Sequence, residues 1–476
     1  MTNKVNLINC FKKTKDIYVD RFWDLIPFFI LISSISVLIQ VLFFTCLQFI
    51  INDLRASSKL SELINLVNTG EITRSYNLIV QDPNVVLVTS VFILLSFLIL
   101  LISISALYPG LIYMVGGLVN NRDKTLYYGL KGIRKNFWNI LKLNVFLSLF
   151  TGFLFFISIF SLNLSLLFRV FISLVNLLVL ILAYVFIFLF SYETIVLNKL
   201  NLLEGLHKSF NYARKNFIVT ISYIIVSILI FILSAIISTV FSSTISSGVL
   251  NLLQIFIVLP FLSISKVLIY LAAENEIKTQ ETYLDFKSII KKILKNTKKT
   301  LLFSKRHIQF VLISFLPLIA GILYGLNQKE WFKEINLPLG EIAQLNFLDF
   351  INITLHNWIV AFRTAFSGIF LGIPPIGSLF YNGYIIGLAR LLTEDLRTLL
   401  LGILPHGVIE LPALAIAGAI GIKIGIDSIK LITKKITLKK FSSNLKKYLK
   451  IITGLLPLFI LAGFIEIFIT PLFMSL

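Results

Sequence analysis

Pro405-His406-Gly407, followed three residues later by Glu410, stands inside a long apolar run from Leu396 to Lys423. A His and a Glu four residues apart share one helix face, and hydrocarbon is an expensive place to keep either. Such a pair can relay a proton, supply part of a metal ion's shell or close a buried hydrogen-bond network. Proline before the His and glycine after it predict a helix break at Pro405 and Gly407, whose freed backbone groups need partners inside the protein. Three more polar residues, Arg363, Asn382 and Glu466, fall within apolar stretches of the same third of the chain. An unpaired charge near mid-membrane costs about 2.5–3.5 kcal/mol on insertion scales. Arg363, Asn382, His406, Glu410 and Glu466 are therefore expected to face one another or a water-filled cavity. The preferred pairing is Arg363 with Glu466 and His406 with Glu410, with Asn382 beside the broken backbone. A buried network that specifies helix packing is favoured over a polar path for a small solute, ion or proton. Two ligands without a Cys or second His are too few for a metal, so no metal or other cofactor is expected.

The elements that must position these groups are membrane helices. The chain has 476 residues, 57% hydrophobic and 14% charged, with a mean hydropathy of +0.92. Apolar runs of about 20 residues recur throughout, the mark of an all-α, polytopic membrane bundle. Eleven spans are expected, at 25–51, 85–119, 143–161, 170–190, 217–240, 249–272, 307–325, 357–373, 376–392, 398–422 and 451–475. With the N-terminus inside and the C-terminus outside, 33 of the 43 Lys and Arg residues fall in cytoplasmic segments, as the positive-inside rule requires. The net charge of +20 is thus a topology signal for a multi-pass protein of the cell membrane, not a nucleic-acid footprint. Cys10 and Cys46 give no disulfide framework. Small residues recur at four-residue spacing, which lets membrane helices approach closely: Gly368 and Gly372, Gly383 and Gly387, and the ridge Ala413, Ala417, Gly421 and Gly425. These ridges fit an intramolecular bundle or a homo-oligomer.

Three regions are expected: a six-span part over 1–280, a basic amphipathic cytoplasmic linker over 281–304, and a five-span module over 305–476. The first contains a repeat, Arg134-Lys135-Asn136-Phe137 returning as Arg214-Lys215-Asn216-Phe217 eighty residues later. Each copy follows a short amphipathic stretch (Thr125–Ile133 and Leu203–Ala213) and precedes a hydrophobic hairpin. The basic pair suits the headgroup level and the aromatic residue the interface. Asp20-Arg21-Phe22-Trp23 is a degenerate third copy. This half resembles the membrane domain attached to some glycerophosphodiester phosphodiesterases; no catalytic domain accompanies it. In the linker, Lys287, Lys291, Lys292, Lys295, Lys298 and Lys299 alternate with Ile289, Ile290, Ile293 and Leu294, which predicts a helix lying on anionic headgroups. Of the two long outer loops, 52–84 and 326–356, the second carries Trp331 and Phe332 and is expected along the outer leaflet.

Residues 305–476 resemble the stage II sporulation protein M family. The matching residues are His356-Asn357, Ala361-Phe362, Gly368 and Gly372, Asn382-Gly383 with Gly387, Pro405-His406-Gly407 with Glu410, and Ala413 to Gly421. The resemblance implies a five-span membrane module. In spore formers it implies an engulfment role, anchoring wall-degrading enzymes, although the family also occurs in archaea and bacteria that make no spores. Glycine-rich phosphate loops, Ser/His/Asp arrangements and intramembrane-protease signatures do not stand out, so no enzyme is expected. The leading functional reading is a scaffold in the lipid bilayer for protein partners; the alternative is a transporter or channel for a small solute or ion.

Overall fold

Apolar periodicity and caps account for the helices seen in the computed structural model, which describes residues 5–119, 126–163, 165–240, 253–272, 286–328, 347–392 and 396–474. Trp331, Phe332 and Thr125 lie outside the described residues. In chain order the early helices are α1 (Leu7–Asp20), α2 (Phe22–Ala56), α3 (Lys59–Asn68), α4 (Ile72–Val80), α5 (Pro83–Val119), α6 (Leu126–Phe160), α7 (Leu166–Ala183), α8 (Ser191–Asn198), α9 (Leu202–Lys215), α10 (Phe217–Val240) and α11 (Leu259–Ala272). They are followed by α12 (Phe286–Arg306), α13 (Ile308–Leu326), α14 (Phe347–Phe366), α15 (Ile373–Leu392), α16 (Leu396–Ile432), α17 (Leu438–Thr453), α18 (Leu456–Phe464) and α19 (Thr470–Met474). No strand occurs among the described residues.

Nine helical stretches among the described residues are long and apolar enough to cross a membrane. Their outward faces are crowded with exposed Leu, Ile and Phe, including Phe155, Phe156, Leu167 and Ile232, which only a lipid environment tolerates. The chain is therefore a multi-pass membrane protein. The two expected spans outside the nine are α14 and α15. Asp349, Asn352, His356, Asn357 and Arg363 make α14 more polar than an ordinary lipid-facing span, and its bounds differ from the expected 357–373. It ends at Phe366, a short 3-10 turn covers Ser367–Ile369, and Leu371 and Gly372 take left-handed backbone angles (φ 60° and 81°) that reverse the chain into α15.

The expected break at Pro405 and Gly407 does not occur: α16 runs unbroken through Pro405 and Pro412. Each proline removes one donor from the helix ladder. In a 37-residue helix held by neighbours in a bundle, that loss does not end the element.

The chain divides into two compact units. The first takes the described residues of Met1–Ile32, Leu101–Val240 and Leu253–Asp285, and the second those of Ser33–Leu100 and Phe286–Leu476. The division does not follow chain order, since residues 33–100 belong with the C-terminal helices.

In the first unit the two repeat copies share one bond. Asn136 Nδ2 donates to the Gly132 carbonyl at 2.9 Å and Asn216 Nδ2 to the Tyr212 carbonyl at 3.1 Å, each four residues back. The helix continues through the first copy, whereas α9 stops at Lys215 and leaves Asn216 between helices. Phe217 stacks on Phe186 at 5.9 Å between ring centroids. A capping box, Asn201 with Glu204, fixes the start of α9.

In the second unit α12 is a helix, as its basic-apolar spacing predicts. One face is buried through Asn296, Thr300 and Phe303. Asn296 Nδ2 donates to Thr453 Oγ1 at 3.0 Å and Thr300 Oγ1 to the Ile451 carbonyl at 2.6 Å. Ile290 and Leu294 stay exposed beside the lysines, the composition of a helix at headgroup level.

Two glycine seams set the core of this unit. Gly321 and Gly325 of α13 face Gly383 and Gly387 of α15: a Cβ on Gly383 would overlap the Leu318 carbonyl, and one on Gly387 would lie 3.0 Å from Gly325 Cα. Gly368 and Gly372, in the α14–α15 turn, lie against Gly421 and Gly425 of α16. Ala413 and Ala417 are fully buried on that helix. Gly383→Ala must push two backbones apart, and overpacking of this kind costs about 1–3 kcal/mol or more. The thermal midpoint in mild detergent should fall by several degrees. Gly152→Ala, where nothing lies within 4 Å of an added Cβ, should leave it unchanged or raise it.

Outside the spans, Lys59 Nζ sits 2.6 Å from Asp82 Oδ2 and Asp82 Oδ1 accepts from the Asn84 N–H at 3.0 Å, capping α5. The Lys59 bond chiefly holds the Asp82 carboxyl below its ordinary value. A depressed carboxylate stabilises the fold above its unfolded value, about 3.9, and loses that contribution as pH falls through the folded one. Asp82→Asn should lower the thermal midpoint at pH 7, and the gap from the natural protein should shrink as pH falls below about 4.

Candidate functional site

The fold gathers three of the five polar candidates and places the other two elsewhere in the same unit. His406 and Glu410 project from one face of α16. Glu466 comes from a π turn, Ile465–Ile469, between α18 and α19. The ligand-capable atoms of His406, Glu410 and Glu466 all lie within 4.8 Å of one another, each residue half-buried. Asn357 of α14 stands beside the Glu410 carboxyl, and Thr470 Oγ1 lies 3.5 Å from His406 Nδ1. Glu466 Oε2 is buried without a hydrogen-bond partner. A π turn inserts one residue into a helix and rotates the side chains beyond it, and such turns recur at functional sites.

Arg363 and Asn382 line a separate cavity of about 470 Å³, walled by α2, α14 and α15. Its polar wall includes Gln40, His356, Arg363, Thr364, Ser378 and Asn382; Val37, Phe43 and Phe44 are among its apolar lining. Arg363 Nε donates to Ser33 Oγ at 2.7 Å, so Arg363 meets α2 and Glu466 joins His406 and Glu410 in place of the expected Arg363–Glu466 pair. Residues 330 apart in sequence meet in the Arg363–Ser33 bond, and Ser33 carries no local signal of it. Asn382 Nδ2 donates to the Ser378 carbonyl of its own helix at 2.7 Å, and Thr364 and Ser378 hydroxyls bond at 2.7 Å. Adjacent residues of α14 serve the two places: His356 lines the cavity and Asn357 stands beside Glu410. On one side Gln48 bridges two tyrosines, donating to Tyr384 Oη at 3.2 Å and accepting from Tyr324 Oη at 3.0 Å.

Sequence reasoning missed a buried ion pair in the first unit. Glu193 of α8 is fully buried, and Lys266 Nζ of α11 stands 3.3 Å from its Oε2. The Tyr108 and Tyr192 rings lie 5.7 and 5.6 Å from the ammonium, within cation–π range. Tyr192 Oη also bonds Asn144, whose Nδ2 donates to Ser105 Oγ at 2.7 Å. Lys266 inside an apolar run is the available signal. Glu193 gives none, because its helix is only eight residues long and its surroundings read as a cytoplasmic connection.

The Stage II sporulation protein M family model matches residues 227–471, more than half of the chain. The chain belongs to the stage II sporulation protein M family. The match takes in α12 to α18, both glycine seams and all five polar candidates, and it begins within α10, upstream of the expected residue 305. An uncharacterized protein of Methanocaldococcus jannaschii is 30% identical over 167 residues, which make up 34% of this chain and 93% of that relative. No solved structure matches this family member.

Removing one partner of a buried ion pair strands the other and costs about 3–5 kcal/mol, whereas removing both can be nearly neutral. Lys266→Met or Glu193→Gln alone should lower the thermal midpoint markedly. The double substitution should lower it less than Lys266→Met does, and the double-mutant cycle measures the difference.

Proposed function

We propose that this member of the stage II sporulation protein M family is a non-enzymatic scaffold of the cell membrane, with its N-terminus inside and its C-terminus outside. The observation that supports the reading is the pair of glycine seams, where α13 meets α15 and the α14–α15 turn meets α16 backbone to backbone. Close approach through small residues gives each helix one fixed neighbour. A rigid bundle that presents fixed loops and interfacial helices suits holding a partner protein, or a second copy of the chain, at the membrane. The basic face of α12 adds attachment to anionic headgroups. A second reading, passage of a small solute or ion, draws on one observation: the 470 Å³ cavity beside Arg363 and Asn382 has the size of a ligand site.

Cross-linking and purification from native membranes, paired with flux assays in proteoliposomes, separate the readings. The scaffold predicts a near-stoichiometric protein partner, retained when Asn382 is replaced by Ala, and no solute- or ion-dependent flux. Flux through the natural protein that Asn382→Ala or Arg363→Ala abolishes without unfolding it would overturn the scaffold.

A further inference from the structure

His406 and Glu410 offer an imidazole nitrogen and a carboxylate from one turn of α16, and the C-terminal π turn brings a second carboxylate to the same point. Their ligand-capable atoms lie within 4.8 Å of one another. Two carboxylates brought together inside a membrane bundle repel strongly unless a proton or a metal cation joins them. Glu466 Oε2 is the second, independent observation: it is buried and receives no hydrogen bond, a state that buried acceptors rarely keep. Asn357 of α14 stands beside the Glu410 carboxyl from a third element, where an amide can orient a ligating carboxylate.

We propose that His406, Glu410 and Glu466 bind one divalent transition-metal cation of the Zn²⁺ or Mn²⁺ class, which clips the C-terminal helices to α16. One imidazole and two carboxylates match these borderline ions, whereas Ca²⁺ takes six to eight oxygens and Mg²⁺ keeps most of its water. Ligands held about 2.0–2.2 Å from such an ion stand roughly 3–3.5 Å apart. Rotamer shifts of about an ångström in three long side chains close the remaining gap. Three protein ligands leave a fourth position to water. The sequence names all three residues among its polar candidates but pairs Glu466 with Arg363, because Glu466 lies 56 residues beyond Glu410 and reaches the site through the fold.

The experiment uses the full chain in detergent, with any affinity tag removed, stripped with chelator and titrated with Zn²⁺ or Mn²⁺ alone. The expected results are one equivalent of metal by elemental analysis and a metal-dependent rise in thermal midpoint. Glu466→Gln, which keeps size and shape, should lose the equivalent while remaining monodisperse. Asn357→Ala should weaken binding about 10- to 100-fold. X-ray absorption on the Zn²⁺-loaded natural protein provides a readout independent of any variant and should show imidazole and carboxylate ligation. Failure of the folded natural protein to take up metal, retention of the full equivalent by Glu466→Gln, or a spectrum lacking imidazole would each overturn the site.

Discussion

Where Gly321, Gly325, Gly383 and Gly387 meet, two helices touch through their backbones, and the rest of the second unit is arranged around that contact. Lipid tails are as apolar as leucine, so membrane helices gain little from burying apolar side chains against each other. Close approach substitutes dispersion between backbones for that missing drive, and small residues are its requirement. The turn after α14 repeats the device against Gly421 and Gly425 of α16. With both seams closed, α14, α15 and α16 have fixed neighbours, and their polar side chains have fixed destinations.

Those destinations explain how a strongly apolar protein keeps Arg, His and Glu within its bundle. One helix, α14, divides the polar groups between a cavity that holds Arg363 and Asn382 and a compact His-Glu-Glu group on α16 and the π turn. The first unit solves the same problem differently, with a Lys266–Glu193 pair flanked by tyrosine rings. In each place charge is matched by charge, by hydroxyls or by aromatic faces. The α16 group differs in that its buried Glu466 oxygen faces a second carboxylate and an imidazole, whereas the buried Glu193 carboxylate faces the Lys266 ammonium.

Much of this was legible in the sequence, for local reasons. Apolar runs announce membrane helices, a four-residue spacing puts His406 beside Glu410, and basic-apolar alternation marks α12 as a helix. Family motifs at Asn382, His406 and Glu410 pointed to the right relatives. What escaped was non-local. Gly321 and Gly325 carry the same spacing as their partners, but spacing alone does not say which ridges meet. Glu466 reaches His406 through a π turn that no residue type announces, and Ser33 meets Arg363 only through the packing of α2. The helix through Pro405 continues because its neighbours hold it, which a local rule about proline cannot register.

The contact between α13 and α15 can be measured in the bilayer itself. With Gly325 and Gly387 labelled at Cα, solid-state NMR on the reconstituted protein reads their separation directly. A Cβ on Gly387 would sit 3.0 Å from Gly325 Cα, and a Cα–Cβ bond adds about 1.5 Å, so the two Cα atoms should lie within about 5 Å and give a strong cross-peak at short mixing times. A cross-peak absent even at long mixing times would place the two Cα atoms out of contact and contradict the backbone seam on which this architecture rests.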